Sequence, residues 1–218
     1  AGNQVRTQDS TAAIQHYQQA LSMNPQDYRI HNNLGVTLRQ QGNLTDAIAA
    51  YSDAIALHPT FADAHYNLGN AWREAGNHMA AVYHYRRSLA AQPDSTNAWN
   101  NLGNSLKELG QVPAAAQAYE QAIALEPDHA SAHHNLGYVQ LLQGNLSAGF
   151  ANYEWRWQVK NFKAPRDWSV PQWDGRSLLS DSDNPKTIVL HGEQGLGDAI
   201  QFCRYAQRVN ELGGRVIL

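Results

Sequence analysis

The chain has 218 residues, 43% of them hydrophobic, and its 16 basic against 19 acidic side chains give a formal net charge of -3. This length allows one or two domains, and the near-balanced charge excludes a nucleic-acid binder that works by bulk positive field. No apolar run of about 18 residues occurs, which excludes a membrane-spanning helix, and the single cysteine, Cys203, allows no internal disulfide and suits a reducing, cytoplasmic location.

Residues 1–27 read as half of a unit: Ala13, Tyr17, Ala20 and Pro25 suit a second helix, and no good first helix stands ahead of it. From Tyr28 onward one pattern recurs. Pro25, Pro59, Pro93 and Pro127 are 34 residues apart, and Leu34-Gly35, Leu68-Gly69, Leu102-Gly103 and Leu136-Gly137 keep the same step. A constant period of this length marks one supersecondary unit stacked on copies of itself. The units are 28–61, 62–95, 96–129 and 130–160. In each, Gly42, Gly76, Gly110 or Gly144 falls where a first helix must end in a left-handed residue. Asn43, Asn77 and Asn145 follow as caps for a second helix, with Gln111 the weaker variant, and the proline stops that helix. Small residues (Gly35, Gly69, Gly103, Gly137; Ala47, Ala81, Ala115) mark close helix approach, and Tyr51, Tyr85, Tyr119 and Tyr153 are expected to fill the remaining space. Neither helix buries its apolar face alone; stacking does it.

Residues 161–185 read as a capping linker rich in aromatics and proline, continuing a cluster in which Trp155, Trp157, Trp168 and Trp173 are four of the chain's six tryptophans. Residues 186–218 lose the helical period. Thr187 to His191 reads as a buried strand, Gly192 to Asp198 as a glycine-rich loop, Ala199 to Leu212 as an amphipathic helix, and Arg215 to Leu218 as a second strand. That is one βαβ unit, the opening of a doubly wound domain. Its glycines, Gly192, Gly195 and Gly197, depart from the dinucleotide-binding spacing. The loop, Gly195 and Gly197 included, still sets amide donors at a helix start. Asp198 there is either an N-cap or a general base. Because the chain stops within an apolar run, a longer parent is expected.

The third unit, with Trp99, Leu102, Gly103, Leu106, Ala115, Tyr119, Ala122 and Pro127, resembles the tetratricopeptide repeat, and the likeness covers roughly residues 10–160. It implies an all-α, right-handed solenoid of helix-turn-helix repeats, followed here by the short βαβ element, with the first helices lining a concave groove. Position 6 of every unit is asparagine: Asn33, Asn67, Asn101 and Asn135. Helix propensity does not favour that choice, whereas a primary amide offers two donors and an acceptor to the backbone of an extended peptide. O-linked N-acetylglucosamine transferases carry a similar ladder. Asn70 and Asn104, with Asn32 and Asn100, enlarge this amide surface, and Arg39, Arg73 and Lys107 add positive charge along one edge. The alternatives are that these amides are solvated polar residues or bridge neighbouring repeats. On the peptide reading, exchanging all four for alanine weakens partner binding and leaves the melting curve nearly unchanged. His31, His65 and His133 share position 4 with Trp99; stacked equivalents lie roughly 8–10 Å apart, too far to share a zinc ion at about 2.1 Å. They are read as core, and no metal site is expected.

The string from Glu193 to Tyr205, with Tyr153 to Trp157 and Pro171 to Gly175, resembles bacterial tetratricopeptide proteins whose carboxyl half is a glycosyltransferase-like domain of the two-lobed type. That resemblance implies a sugar-nucleotide donor in the parent and Asp198 as catalytic base. A lone βαβ unit forms no cleft between lobes, so the chain as given is expected to need no cofactor and to lack transfer activity. The leading expectation is a protein-interaction module for an extended peptide or partner protein, without nucleic acid or membrane, and with self-association through the solenoid ends as a further expectation.

Overall fold

The computed structural model describes residues 2–160, 187–189, 205–211 and 215–217. It divides into two units, Ala1–Phe162 and Lys163–Leu218. The first holds nine helices among the described residues: α1 Gly2–Met23, α2 Tyr28–Gln40, α3 Leu44–Leu57, α4 Ala62–Glu74, α5 His78–Ala91, α6 Thr96–Glu108, α7 Val112–Leu125, α8 Ala130–Leu142 and α9 Leu146–Tyr153. A 3-10 turn, Glu154–Gln158, follows.

The local chemistry accounts for each hairpin. Gly42, Gly76, Gly110 and Gly144 adopt φ of 81°, 77°, 71° and 79°, the left-handed conformation that ends each first helix at low cost. Asn43 and Asn77 then cap α3 and α5, their side chains accepting from the amides of Asp46 and Ala80. Gln111 and Asn145 stand at the same place without a side-chain cap bond. α7 instead carries Pro113 in its first turn, where a missing N–H costs nothing.

Within each hairpin the two helices close on a glycine–tyrosine contact. Tyr51, Tyr85 and Tyr119 are 0% exposed, and a Cβ on Gly69 would lie 2.7 Å from Cε1 of Tyr85. Only glycine leaves room for the ring. Ala47, Ala81 and Ala115, also fully buried, complete the seam. The fourth hairpin departs from this expectation. There Gly149 replaces the alanine, the backbone of α9 approaches Gly137 directly, and the Tyr153 ring is displaced to a half-buried place beside His134, centroids 5.1 Å apart. α9 ends after 8 residues, where α3, α5 and α7 have 14. The chain turns back onto α8, with the Arg156 guanidinium held between Tyr153 and Trp157, 4.9 and 4.2 Å from the ring centres.

Each hairpin packs on the next through its second helix, α3 on α4, α5 on α6 and α7 on α8. Successive first helices also touch, α2 on α4, α4 on α6 and α6 on α8, while successive second helices make no comparable contact. The first helices therefore lie on the inner side of the curve. The main apolar core runs from Ala81 to Val139, through α5, α6, α7 and α8. At the amino end, α1 is one 22-residue helix packed on α2.

In the second unit, β1 Thr187–Val189 and β2 Arg215–Ile217 pair in parallel, with Ile188 opposite Val216. The helix between them, α10 Tyr205–Glu211, packs on β2 and buries Val209. The linker reading of residues 161–185, and Gly195, Gly197 and Asp198, lie outside the described residues.

Candidate functional site

The inner face is set by position 6 of each first helix, where the 34-residue step places Asn33, Asn67, Asn101 and Asn135. Their amides do not all point into open space. Asn67 Nδ2 donates to Asn32 Oδ1 of the preceding repeat at 3.0 Å. Asn101 Nδ2 donates to Asn70 Oδ1 at 3.0 Å and to the Tyr66 hydroxyl at 3.2 Å. Asn135 Nδ2 donates to Asn100 Oδ1 and Asn104 Oδ1, both at 3.1 Å. The donors thus bridge successive layers, while Asn67, Asn101 and Asn135 remain half-exposed. Asn33 is exposed, its Oδ1 meeting only the adjacent Asn32 amide at 3.5 Å.

Asn70 and Asn104, expected to widen the amide surface, are instead junctions. Asn70 Oδ1 also accepts from the Tyr85 hydroxyl at 2.7 Å, and Asn104 Oδ1 from the Tyr119 hydroxyl at 2.9 Å. Each links the seam of its own hairpin to the next layer. Burial pushes Tyr85 up to about 12 and Tyr119 upward as well, so both phenols stay protonated donors at neutral pH. In the first hairpin Val36 stands at that position, and the Tyr51 hydroxyl has no amide partner.

The expected basic edge is largely neutralised. Arg39 Nη1 donates to Glu74 Oε1 across neighbouring first helices at 2.5 Å. Burial alone would lower the Arg39 pKa, but the Glu74 carboxylate outweighs it and raises the net value. Lys107 Nζ lies 3.4 Å from Glu108 Oε1 and 5.3 Å from the centre of the Tyr138 ring. Arg73 is half-buried. The inner face therefore carries a row of half-exposed asparagines, with the Arg39–Glu74 and Lys107–Glu108 pairs beside them. Sequence reasoning missed Tyr66 and Glu74; both sit one place from residues already singled out, on the same helix.

Position 4 belongs to the other side. His31, His65, Trp99 and His133 each meet the carbonyl of the proline six residues earlier, at 3.0, 3.1, 2.9 and 2.9 Å. A ring nitrogen there satisfies the carbonyl that the proline leaves at the hairpin junction. Among the described residues, no group of three or more His, Cys, Asp or Glu is placed to hold a metal ion, and no helix is long and apolar enough to cross a membrane.

Models of the tetratricopeptide repeat match residues 3–60, 38–96 and 84–117, and a model of the TPR repeat matches 103–144. No curated protein matches the chain in a sequence search. Among solved structures, a crystal structure of MamA is 26% identical with a TM-score of 0.65, covering 71% of this chain and 91% of that one. MamA from Desulfovibrio magneticus RS-1 is 18% identical with a TM-score of 0.64, covering 69% of this chain and 85% of its own. YrrB, described as a TPR protein with an unusual peptide-binding site, is 17% identical with a TM-score of 0.62, covering 71% and 79%. At that identity the last two bear on the fold alone. Matched from residue 3 to residue 144, well over half of its length, the chain belongs to the tetratricopeptide repeat family.

Proposed function

We propose that the chain is a protein-interaction module whose inner, first-helix face holds an extended peptide segment of a partner protein. The observation that carries this reading is the row of Asn67, Asn101 and Asn135, one per layer. Each is tied to the preceding repeat through its Nδ2 and stays half-exposed, and its Oδ1 is the group we assign to meet the guest. Oxygens held in register by a rigid stack lose little freedom on accepting backbone N–H groups, which is how preorganisation strengthens weak contacts. The Arg39–Glu74 pair and the Lys107–Glu108 pair leave the face without a dominant charge, which suits a guest recognised by its main chain.

The test is selection from a phage-displayed library of random dodecapeptides on the immobilised chain, then calorimetry with the recovered peptides. Replacing Asn67 and Asn101 together with alanine is expected to weaken binding by about tenfold or more, with helicity checked by circular dichroism. Undiminished binding by that double variant overturns the groove. Most of the residues that carry the glycosyltransferase-like expectation, Asp198 among them, lie outside the described ones, and none of the matched models is of a transferase. The interaction reading is the one carried forward.

A further inference from the structure

On the side opposite the asparagine row, a cavity of about 540 Å³ opens between α5 and α7, above α6. Trp99 forms one wall, Leu102 and Leu106 the floor, Ala118 and Gln121 the α7 flank, and Arg86 the rim. Its size is that of a ligand site, and its origin is legible by comparing repeats. Position 4 of each hairpin holds a ring. In three hairpins that ring meets a side chain from position 23 or 26 of the same unit. His31 faces Asp53, Nδ1 to Oδ2 3.7 Å. His65 faces His84, Nδ1 to Nδ1 3.1 Å with ring planes 29° apart. His133 is stacked under Trp155, with centroids 4.1 Å apart and planes within 8°. In the third hairpin the same two positions are Ala118 and Gln121, and among the described residues no ring lies on Trp99. Trp99 is not free to fill the space itself, because its Nε1 donates to the Pro93 carbonyl at 2.9 Å.

We propose that this slot receives an aromatic side chain of a partner protein, stacked on Trp99 as Trp155 is stacked on His133. In two of the three filled slots the occupant is a flat ring stacked on the position 4 ring, His84 on His65 and Trp155 on His133; in the other it is the Asp53 carboxylate, which pairs with a histidine and has no such partner in Trp99. The aliphatic floor supplies apolar contact, offset rings attract beyond their buried area, and Arg86 and Gln121 at the edge meet the polar groups of the incoming chain. The site is separate from the first-helix groove, so it stands whether or not that groove binds peptide.

The experiment follows the Trp99 indole N–H in proton–nitrogen correlation spectra of the full chain during titration with N-acetyl-L-tryptophanamide. A saturable shift with a dissociation constant of about 1 mM, and binding about tenfold weaker for N-acetyl-L-leucinamide, is expected. Gln121→Trp rebuilds the fourth hairpin's stack and Ala118→His the second's. Each should abolish the shift while leaving Tm unchanged or higher, and either one suffices if the other misfolds. Equal binding of the leucine amide, binding of free indole but not of the amide, or titrations unaltered in the filled variants would each overturn the proposal.

Discussion

At the scale of single residues, the His65–His84 pair shows how one hydrogen bond sets the charge state of its neighbours. His65 Nε2 donates to the Pro59 carbonyl at 3.1 Å, so its Nδ1 is left to accept from Nδ1–H of His84 at 3.1 Å. Both rings are then neutral, and a proton added at His65 Nδ1 would set N–H against N–H. Burial, with the His65 charge beside it, holds His84 down to about 4. Burial likewise lowers His65, against the pull of the Pro59 carbonyl and with the help of Arg87. The other ring facing His84 is Tyr83, edge-on at 5.0 Å. The unfolded chain accepts protons near pH 6.5, whereas folded His84 stays neutral down to about 4 and folded His65 is also held below its ordinary value. Stability is therefore complete above that window and falls as pH drops through it. The expected loss is about 1–2 kcal/mol after discounting for solvent screening, read from urea melts near neutral pH and in mild acid. His84→Ala, which supplies the residue found at the equivalent Ala50 and Ala118, should flatten that dependence. An equal slope in the variant would remove the pair as its source.

At the scale of elements, the first helices are joined side by side through amides, and this revises an expectation drawn from their spacing. Asn135 gives one amide group to two acceptors in the preceding layer, one of them on the buried Asn100. Asn135→Ala leaves those oxygens short of a donor, at a cost of about 1–3 kcal/mol. Asn33 is exposed and bridges nothing, so Asn33→Ala should change stability by no more than about 0.5 kcal/mol. Urea midpoints of the two variants measure the contrast, and equal midpoints would dismiss the bridge. Exchange of all four asparagines is accordingly expected to lower the melting temperature, not to leave it nearly unchanged.

At the scale of the first unit, stability accumulates along one dimension, because each hairpin touches only its neighbours. The continuous core runs through α5, α6, α7 and α8, whereas α1 packs on α2 alone and α9 is cut short. Hydrogen exchange followed by mass spectrometry should find the slowest amides in α6 and α7 and the fastest in α1, since local opening costs least where fewest apolar contacts are broken. Uniform protection along the array would mean a single cooperative unit instead.

The 34-residue period by itself determined the hairpins, because their chemistry is local. A left-handed glycine, an asparagine cap, a proline and a glycine facing a tyrosine each act within a few residues or one helix pair. It also placed Asn33, Asn67, Asn101 and Asn135 on a common face. Tertiary structure alone decided where those amide hydrogens go, since an asparagine carries donor and acceptor on one side chain and the neighbouring layer competes with any guest for both. It decided, too, that the Tyr153 ring leaves its seam, because Gly149 lets two backbones meet where a ring would otherwise lie. And it left Trp99 uncovered: the smallness of Ala118 is plain in the sequence, but whether a neighbour closes over the gap depends on the spacing of packed helices.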